Sequence, residues 1–426
     1  MNYAQEMLDF IYASPTSFQA IENIKKELIE AGFIEFNEAQ PLTFEKGKNY
    51  FVTRNQSSVL AFKVGSKLEN VSFNMVASHS DCPTYKVKPN ALIKGNGYVK
   101  LNTEGYGGMI RHSWLDRPLS LAGRVLVRHE NEIKSIVVNI DKDLMVIPSV
   151  AIHQARDDQG KQLNQQIDML PLISMDEDFD LNTLLANEVG CEVDEVINFD
   201  LYLYPRVKGF MFDSLLSSYH LDNLECGFTS LKAFLQASHE DTVNVYACFD
   251  NEETGSRTRQ GAASTFLIEM LRKVANDLSF DVNQALASSL MVSADNAHAI
   301  HPNHPERADQ TNRPYLNKGI VVKYNANQSY TSDAMSCALF KECLKKSGTP
   351  IQYFTNRSDA VGGGTLGSIS SSQVSVLSID IGLAQFAMHS TLETAGQKDV
   401  DYMIEGLAAY YSSHIMKKDE GNYQVK

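Results

Sequence analysis

Acidic residues and histidines stand directly after several apolar, strand-like runs of the sequence. They are His79 with Asp81, the adjacent pair Glu252 and Glu253, Asp295 and His389. A further carboxylate, Asp222, stands at the start of an amphipathic, helix-like segment. In open α/β sheets, ligands bind in the crevice beyond the carboxyl ends of the strands. The sequence therefore predicts that these side chains converge in one site.

The residue types in this set predict a catalytic metal centre. Two histidines and several carboxylates suit zinc, cobalt or manganese, whereas the lack of clustered cysteines argues against a structural zinc ribbon. Adjacent Glu252 and Glu253 leave the backbone in different directions, so one can bind metal while the other acts on a bound water. Asp81 can accept the second imidazole N–H of His79 and fix its tautomer.

Each of these residues also has an ordinary structural explanation. A His-x-Asp sequence is often a hydrogen-bonded pair on the surface, two adjacent glutamates are usually solvated, and an aspartate before a helix is usually an N-cap. The arrangement of the whole set after separate strands is what favours a metal site over these explanations.

The order of helix-like and strand-like segments predicts an α/β fold with a mixed, mostly parallel sheet flanked by helices. After an opening helix from Ser17 that ends near Gly32, helix and strand patterns alternate again from about Gly209. Residues 94–208 differ, because glycines punctuate short strand-like runs there. We predict a discontinuous catalytic domain of residues 1–93 and 209–426, a β-rich insert at 94–208, and a frayed tail after Lys417.

Composition excludes several classes of protein. The 426 residues are 43% hydrophobic and 21% charged, as in a soluble globular chain. The net charge of −14 disfavours nucleic acid and anionic membranes as partners. The six cysteines form no Cys-x-x-Cys pair and are expected to be reduced thiols. No basic and then apolar leader stands at the N-terminus, so we expect a cytoplasmic protein.

The chain resembles the aspartyl aminopeptidase and vacuolar aminopeptidase I family of dinuclear metallopeptidases nearly from end to end. The resemblance is carried by ordered sequence blocks at Ala77–Asp81, Trp114–Leu119, Leu121–Arg124, Ala151–His153, Leu221–Leu224, Phe249–Ser256, Gln260–Ala262, Ser293–Ala299, His301–Asn303 and Met388–Ser390. It implies an aminopeptidase that removes N-terminal residues from peptides with a free N-terminus.

The resemblance also implies a role for each site residue. Two divalent ions per subunit are expected, with zinc foremost and cobalt or manganese as substitutes. The metal ligands would be Asp222 as the bridge, His79 and Asp295 for one ion, and Glu253 and His389 for the other. Glu252 would be the general base. His153, on a β-rich dimerisation domain, would reach a neighbouring subunit's active site and assist the carbonyl oxyanion, in a dodecamer built from dimers.

The preferred N-terminal residue stays open on the sequence. A segment from Lys323 to Tyr330 is similar to one that family members with aspartyl preference associate with their acidic side-chain pocket. Lys323 and Tyr330 are therefore candidate substrate-binding residues. Ser329, however, stands where arginine is common, and other relatives prefer leucine or another neutral residue, so both acidic and neutral substrates remain possible.

Two alternative functions also remain open. A related co-catalytic zinc hydrolase, acting as a carboxypeptidase or an N-acyl amino acid deacylase, would use a similar ligand set. A catalytically silent metal-binding scaffold is the other alternative, although it would have no use for Glu252 as a base. Among further motifs, we expect Val361–Thr365 to form a tight turn beside the active site, and His298, His301 and His304 to serve loop packing or substrate contacts.

Overall fold

The helices of the protein follow the amphipathic segments of the sequence. The computed structural model describes residues 2–155, 162–238 and 240–426. The helices in these ranges are α1 (Tyr3–Tyr12), α2 (Ser17–Glu30), α3 (Leu181–Val189), α4 (Leu221–Gln236), α5 (Phe266–Asp277), α6 (Val282–Ala287), α7 (Ala334–Leu344), α8 (Leu366–Ser371) and α9 (Gln397–Tyr411). As predicted, a helix starts at Ser17, where the Thr16 side chain accepts the Phe18 N–H, and Gly32 follows its end with φ of +82°.

The strands pair into three larger sheets and one hairpin. In chain order they are β1 (Ile34–Glu35), β2 (Asn49–Arg54), β3 (Ser58–Val64), β4 (Ser72–His79), β5 (Thr84–Gly95), β6 (Tyr98–Tyr106), β7 (Leu119–His129), β8 (Glu132–Asn139), β9 (Leu172–Ser174), β10 (Val196–Pro205) and β11 (Phe210–Phe212). They continue with β12 (Leu215–Ser218), β13 (Thr242–Phe249), β14 (Leu290–Ala294), β15 (Ala297–His298), β16 (Ile320–Tyr324), β17 (Ile351–Thr355), β18 (Leu377–Gly382), β19 (Ala384–Phe386), β20 (Glu393–Gly396), β21 (Ile415–Asp419) and β22 (Asn422–Val425).

A nine-stranded mixed sheet forms the centre of the fold, in the order β1-β2-β3-β13-β4-β14-β18-β16-β17. Its four central strands β13, β4, β14 and β18 run parallel, so their carboxyl ends lie at one edge. Apolar side chains alternate between two cores, with Val76 and Val292 facing one and Met75 and Met291 facing the other. Helices α1, α2, α4, α7 and α9 cover the first core, and α5, α6 and α8 cover the second. This architecture confirms the predicted α/β class.

A six-stranded antiparallel sheet, in the order β8-β7-β10-β5-β6-β9, accounts for the β-rich part of the sequence. It has its own core, in which Trp114 is fully buried against Tyr85 and Tyr219. The sheet begins at Thr84, so the boundary predicted at residue 94 falls inside β5. Gly95 is the last residue of β5, and Gly97 lies in the turn of the β5–β6 hairpin.

Among the remaining strands, one element differs from the sequence-based expectation. The tail after Lys417 is not frayed, because β21 and β22 pair as a hairpin whose Ile415 and Tyr423 pack on the first core. A five-stranded sheet, β11-β12-β20-β19-β15, lies beside the carboxyl edge of the central sheet. Within the described ranges, the protein has no helix long and apolar enough to cross a membrane.

Candidate metal centre

The predicted donors come together because each stands where a strand ends. His79 is the last residue of β4, and Asp295 directly follows β14. Glu252 and Glu253 form a short 3₁₀ turn after β13, which pairs in parallel with β4 so that Phe249 lies beside His79. The five-stranded sheet supplies the other two residues, since Asp222 follows β12 and His389 lies between β19 and β20.

Two groups of donors share Asp222. His79 Nε2 lies 3.4 Å from Asp222 Oδ1 and 3.6 Å from Asp295 Oδ1. On the other side, His389 Nε2 lies 3.3 Å from Asp222 Oδ2 and 3.4 Å from Glu253 Oε1. Each group of three offers donor atoms within 4.8 Å of one another, a separation that one ion could span. Asp222 therefore presents one oxygen to each group.

The ordinary structural explanations do not account for these residues. His79 and Asp81 are only 1% and 4% exposed, so they are not a surface pair. Glu252 and Glu253 are half-buried and line a cavity rather than a solvated face. The backbone at Asp222 is not helical (φ −80°, ψ 106°), and its side chain lies between the two imidazoles.

The electrostatics of the centre fit bound cations. Asp222 Oδ1 and Glu253 Oε1 are buried and accept no hydrogen bond from any described residue. Burial together with the charge of Asp222 raises the pKa of Glu253 well above its usual range. Burial, with the negative charges of Asp295 and Asp81, raises the pKa of Glu252 to about 8. A bound cation supplies the missing positive charge and reverses such shifts, so the donor set suits zinc.

Asp81 connects His79 to the glutamate turn. His79 Nδ1 lies 3.0 Å from the Asp81 carbonyl oxygen and 3.3 Å from its carboxylate Oδ1. A proton on Nδ1 would be donated to this carbonyl oxygen and would leave Nε2 free to face Asp222 and Asp295; the carboxylate predicted as the acceptor lies farther away. The Asp81 carboxylate also accepts the backbone N–H groups of Glu252 and Glu253, at 3.1 and 3.2 Å.

Two residues that the sequence analysis missed hold these ligands in place. Glu393 accepts the backbone N–H of His389 at 2.6 Å and that of Asp222 at 3.0 Å. Tyr106, from the six-stranded sheet, donates its hydroxyl to Asp81 Oδ2 at 2.7 Å. Their types gave no signal, because tyrosines and glutamates are frequent and the partners of Glu393 are backbone groups. The one sequence feature that pointed to Glu393 was its position four residues after His389.

The metal-site residues line a cavity of about 340 Å³, here called the catalytic cavity. The candidate substrate-binding residues Lys323 and Tyr330 also line this cavity, together with Phe354 and Gly363–Thr365. Lys323 Nζ donates to the carbonyl oxygens of Asp295 at 2.7 Å and Asn296 at 3.2 Å, and lies 5.3 Å from the Tyr330 ring centre. Burial by itself lowers the pKa of Lys323, but the charges of Asp295, Tyr330 and Asp380 together outweigh that effect and raise the pKa.

His153 is the one candidate that the single chain does not bring to the centre. It lies in an exposed turn, and it is not among the described residues that line the catalytic cavity.

The parallel strands of the central sheet end at a buried cluster of histidines and carboxylates, and this cluster opens into a cavity. Such an arrangement is typical of a metal-dependent hydrolase. Comparison with known proteins makes this class specific. Residues 10–411 match the model of the family described as aminopeptidase I zinc metalloprotease (M18), and the chain belongs to that family.

Individual relatives agree with this assignment. A probable M18 family aminopeptidase 2 of Clostridium novyi is 42% identical over 428 residues, which cover 97% of this chain and 99% of the relative. The Ape4 chain seen in a complex with Nbr1 superposes with a TM-score of 0.93 at 34% identity, covering 96% of this chain and 85% of that chain. The S. cerevisiae mApe1 dodecamer gives 0.84 at 28% identity and covers 96% of both chains. The protein is therefore a metallo-aminopeptidase of a zinc metalloprotease family. This membership argues against the carboxypeptidase, deacylase and silent-scaffold alternatives.

Proposed function

We propose that this aminopeptidase cleaves N-terminal residues from peptides at a centre of two divalent ions, zinc foremost. The observation that carries the proposal is the position of Asp222, whose two oxygens lie 3.4 and 3.3 Å from the two histidines. His79 and Asp295 would complete one site, and Glu253 and His389 the other. Bound there, the ions would lower the pKa of a water, hold the substrate amine and polarise the scissile carbonyl.

Glu252 would move the proton in this reaction. Glu252 lines the cavity beside the proposed ligands, and one of its carboxylate oxygens lies within 4.8 Å of donor atoms of His79 and Glu253. It can therefore accept the proton of the attacking water and later deliver one to the leaving amine. Asp81 supports both partners, because it contacts His79 and holds the backbone of the Glu252–Glu253 turn.

The test uses enzyme stripped of metal by chelation and restored with zinc, cobalt or manganese. The substrates are aminoacyl anilides with a free or an acetylated amine. We expect metal-restored cleavage of the free-amine substrates alone, and two ions per subunit by elemental analysis. Cleavage of acetylated substrates would support the deacylase instead. One ion per subunit at full activity would contradict the dinuclear centre.

For specificity, we propose that the wall formed by Lys323 and Tyr330 receives the N-terminal side chain and that the Lys323 charge favours an acidic one. Support comes from the burial of the ammonium in this wall, where a charge is weakly screened. Lys323 also holds the Asp295 backbone, so the readout is a ratio of substrates rather than a rate. Lys323→Met should lower the ratio of aspartyl to leucyl anilide cleavage, and a wild type that cleaves only leucyl substrates would contradict the proposal.

For assembly, we propose a dodecamer built from dimers, in which the β-rich domain at residues 94–208 makes the dimer contact and His153 assists the oxyanion in the partner's site. Val150 and Ile152, which flank His153, are 62% and 67% exposed, as expected of a surface that another subunit covers. Light scattering should give about 570 kDa for twelve chains of 47.4 kDa. Mixed assemblies of His153→Ala with Glu252→Gln chains should regain activity that neither variant has alone. No regain in verified mixtures would rule out action in trans.

For location, we propose the cytoplasm. None of the six cysteines, all of which lie in the described ranges, forms a disulfide, and five are buried thiols. Free thiols in this number are typical of a reducing compartment. Cell fractionation with a periplasmic marker tests this proposal.

A further inference from the structure

A second cavity of about 250 Å³ adjoins the catalytic cavity. The two share His298 and Phe354 as walls, with the rings packed at 6.1 Å between centres. The far side of the second cavity is formed by the segment that carries His301, His304 and Arg307, and by residues next to Phe354. A substrate held at the metal residues could therefore extend past His298 and Phe354 into this space.

The lining of the second cavity is cationic in a protein whose net charge is −14. Among the described residues, two arginines and three histidines line it, and no aspartate or glutamate does. Arg357 is already paired with Asp359 at 2.7 Å, and His304 with Glu306 at 3.2 Å. Arg307 is exposed, and its guanidinium forms no hydrogen bond or salt bridge with any residue that the structure describes, although the charge of the adjacent Glu306 acts on it.

A second unpaired donor lines the same cavity. Gln385 is only 1% exposed, and its Nε2 has no hydrogen-bond partner in the described part of the chain. Its Oε1 accepts from Asn296 Nδ2 at 2.9 Å, which fixes the amide so that the donating end is left over. Buried donors are nearly always satisfied in native proteins, so an unpaired donor in a cavity wall indicates an acceptor that the chain does not supply, either a water or a ligand atom.

From these donors and this charge, we propose that the second cavity binds a carboxylate of the peptide substrate, with Arg307 as the main charge partner. The inference rests on the aminopeptidase activity of the catalytic cavity but not on its preference for acidic or neutral N-terminal residues. Two parts of a peptide can supply the carboxylate: the C-terminus of a di- or tripeptide, or the side chain of an acidic residue. Either would be held by a charge-assisted bond, for which a guanidinium is well suited.

The test compares Arg307→Gln with wild type on matched pairs of substrates. One arm uses Leu-Ala and Leu-Ala-Ala, each as the free acid and as the C-terminal amide. The other arm uses the dipeptide amides Leu-Asp-NH2 and Leu-Asn-NH2, which differ only in the side chain after the scissile bond. Wild type should prefer the carboxylate member of at least one arm, through a lower KM. In Arg307→Gln this preference should fall about tenfold in kcat/KM, because one charge partner is lost. Arg272→Gln, an exposed arginine on α5, is the matched control and should keep the wild-type ratios.

The ratios make the outcome independent of folding and of metal loading, since both members of a pair see the same enzyme. A change in the first arm assigns the site to the C-terminal carboxylate, and a change in the second to an acidic side chain after the scissile bond. The proposal is overturned if wild type shows no preference in either arm. It is equally overturned if Arg307→Gln slows both members of each pair by the same factor. If wild type cleaves none of these substrates, that result would instead count against the proposed metal centre.

Discussion

Glu252 and Glu253 are adjacent, and we propose that the first is the general base and the second a metal ligand. Replacing each of them in turn by glutamine distinguishes these two roles. Both changes keep the shape of the side chain and remove one negative charge. Glu253 Oε1 lies 3.4 Å from His389 Nε2 and is buried without a hydrogen-bond donor, as expected of an atom that faces an ion. Glu252 stands on the same turn and lines the cavity where substrate would bind.

The two variants should therefore fail in different ways. A general base contributes about 10²- to 10⁴-fold to a rate, so Glu252→Gln should lower kcat by that factor, or about 2.7 to 5.5 kcal/mol in activation free energy. Its metal content should stay at the wild-type value. Since burial and neighbouring carboxylates disfavour the ionised form of Glu252, removing its charge should not destabilise the metal-free protein. Glu253→Gln should lose metal affinity by at least about 100-fold, because a ligand is removed outright.

Three measurements decide between the roles: kcat at saturating zinc, bound metal per subunit after gel filtration, and the zinc concentration for half-maximal activity. Glu405→Gln, an exposed acid on α9, is the control for loss of a surface charge. The reasoning is refuted if Glu252→Gln releases metal while Glu253→Gln retains it. It is also refuted if Glu252→Gln keeps kcat within about twofold of wild type.

Three further predictions concern the residues around the centre. Removal of metal should lower Tm by about 4 to 5 °C per ion. A ligand present at about 1,000 times its Kd adds about 4 kcal/mol to the free energy of unfolding, and the entropy of unfolding of 426 residues is about 0.9 kcal/mol per degree. Calorimetry with and without chelator measures the shift, and an unchanged Tm would contradict the prediction. Tyr106→Phe should lower kcat or metal affinity by about 10- to 100-fold while KM stays near the wild-type value, because Asp81 loses a hydrogen-bond donor. Tyr98→Phe, which changes an exposed tyrosine on the same strand, is the control. Equal effects of the two variants would contradict the role of Tyr106 in supporting Asp81. Gly382→Ala should destabilise the protein by about 1 to 3 kcal/mol, because the new Cβ would lie 1.9 Å from the Asp295 carbonyl oxygen; denaturant titration against Gly95→Ala, where nothing lies within 4 Å, checks it.

The layered fold was predictable because its signals are local. Apolar runs followed by polar residues mark buried strands and the edge at which they end, and β4, β13 and β14 all show this pattern. Where a local signal misled, the cause lay in contacts with distant residues. The hairpin of β21 and β22 is highly charged, and only its packing on the first core shows that it is ordered.

Roles that depend on backbone partners were not predictable. Glu393 acts on the N–H groups of Asp222 and His389, which stand 171 and 4 residues away along the chain. Tyr106 reaches Asp81 from another sheet. A residue type does not reveal a partner of this kind, because any backbone N–H or carboxylate can serve.

The sequence by itself determined the α/β class and the family and named the candidate metal donors, since these depend on residue types, their order and the periodicity of apolar side chains. Tertiary structure alone decided that Asp222 divides its oxygens between two histidines and that Lys323 is already engaged by Asp295 and Asn296. It also decided that Arg307 and Gln385 face one cavity beside the catalytic one. The physical reason is that distances, burial and unpaired donors arise only when segments far apart in the chain are packed together.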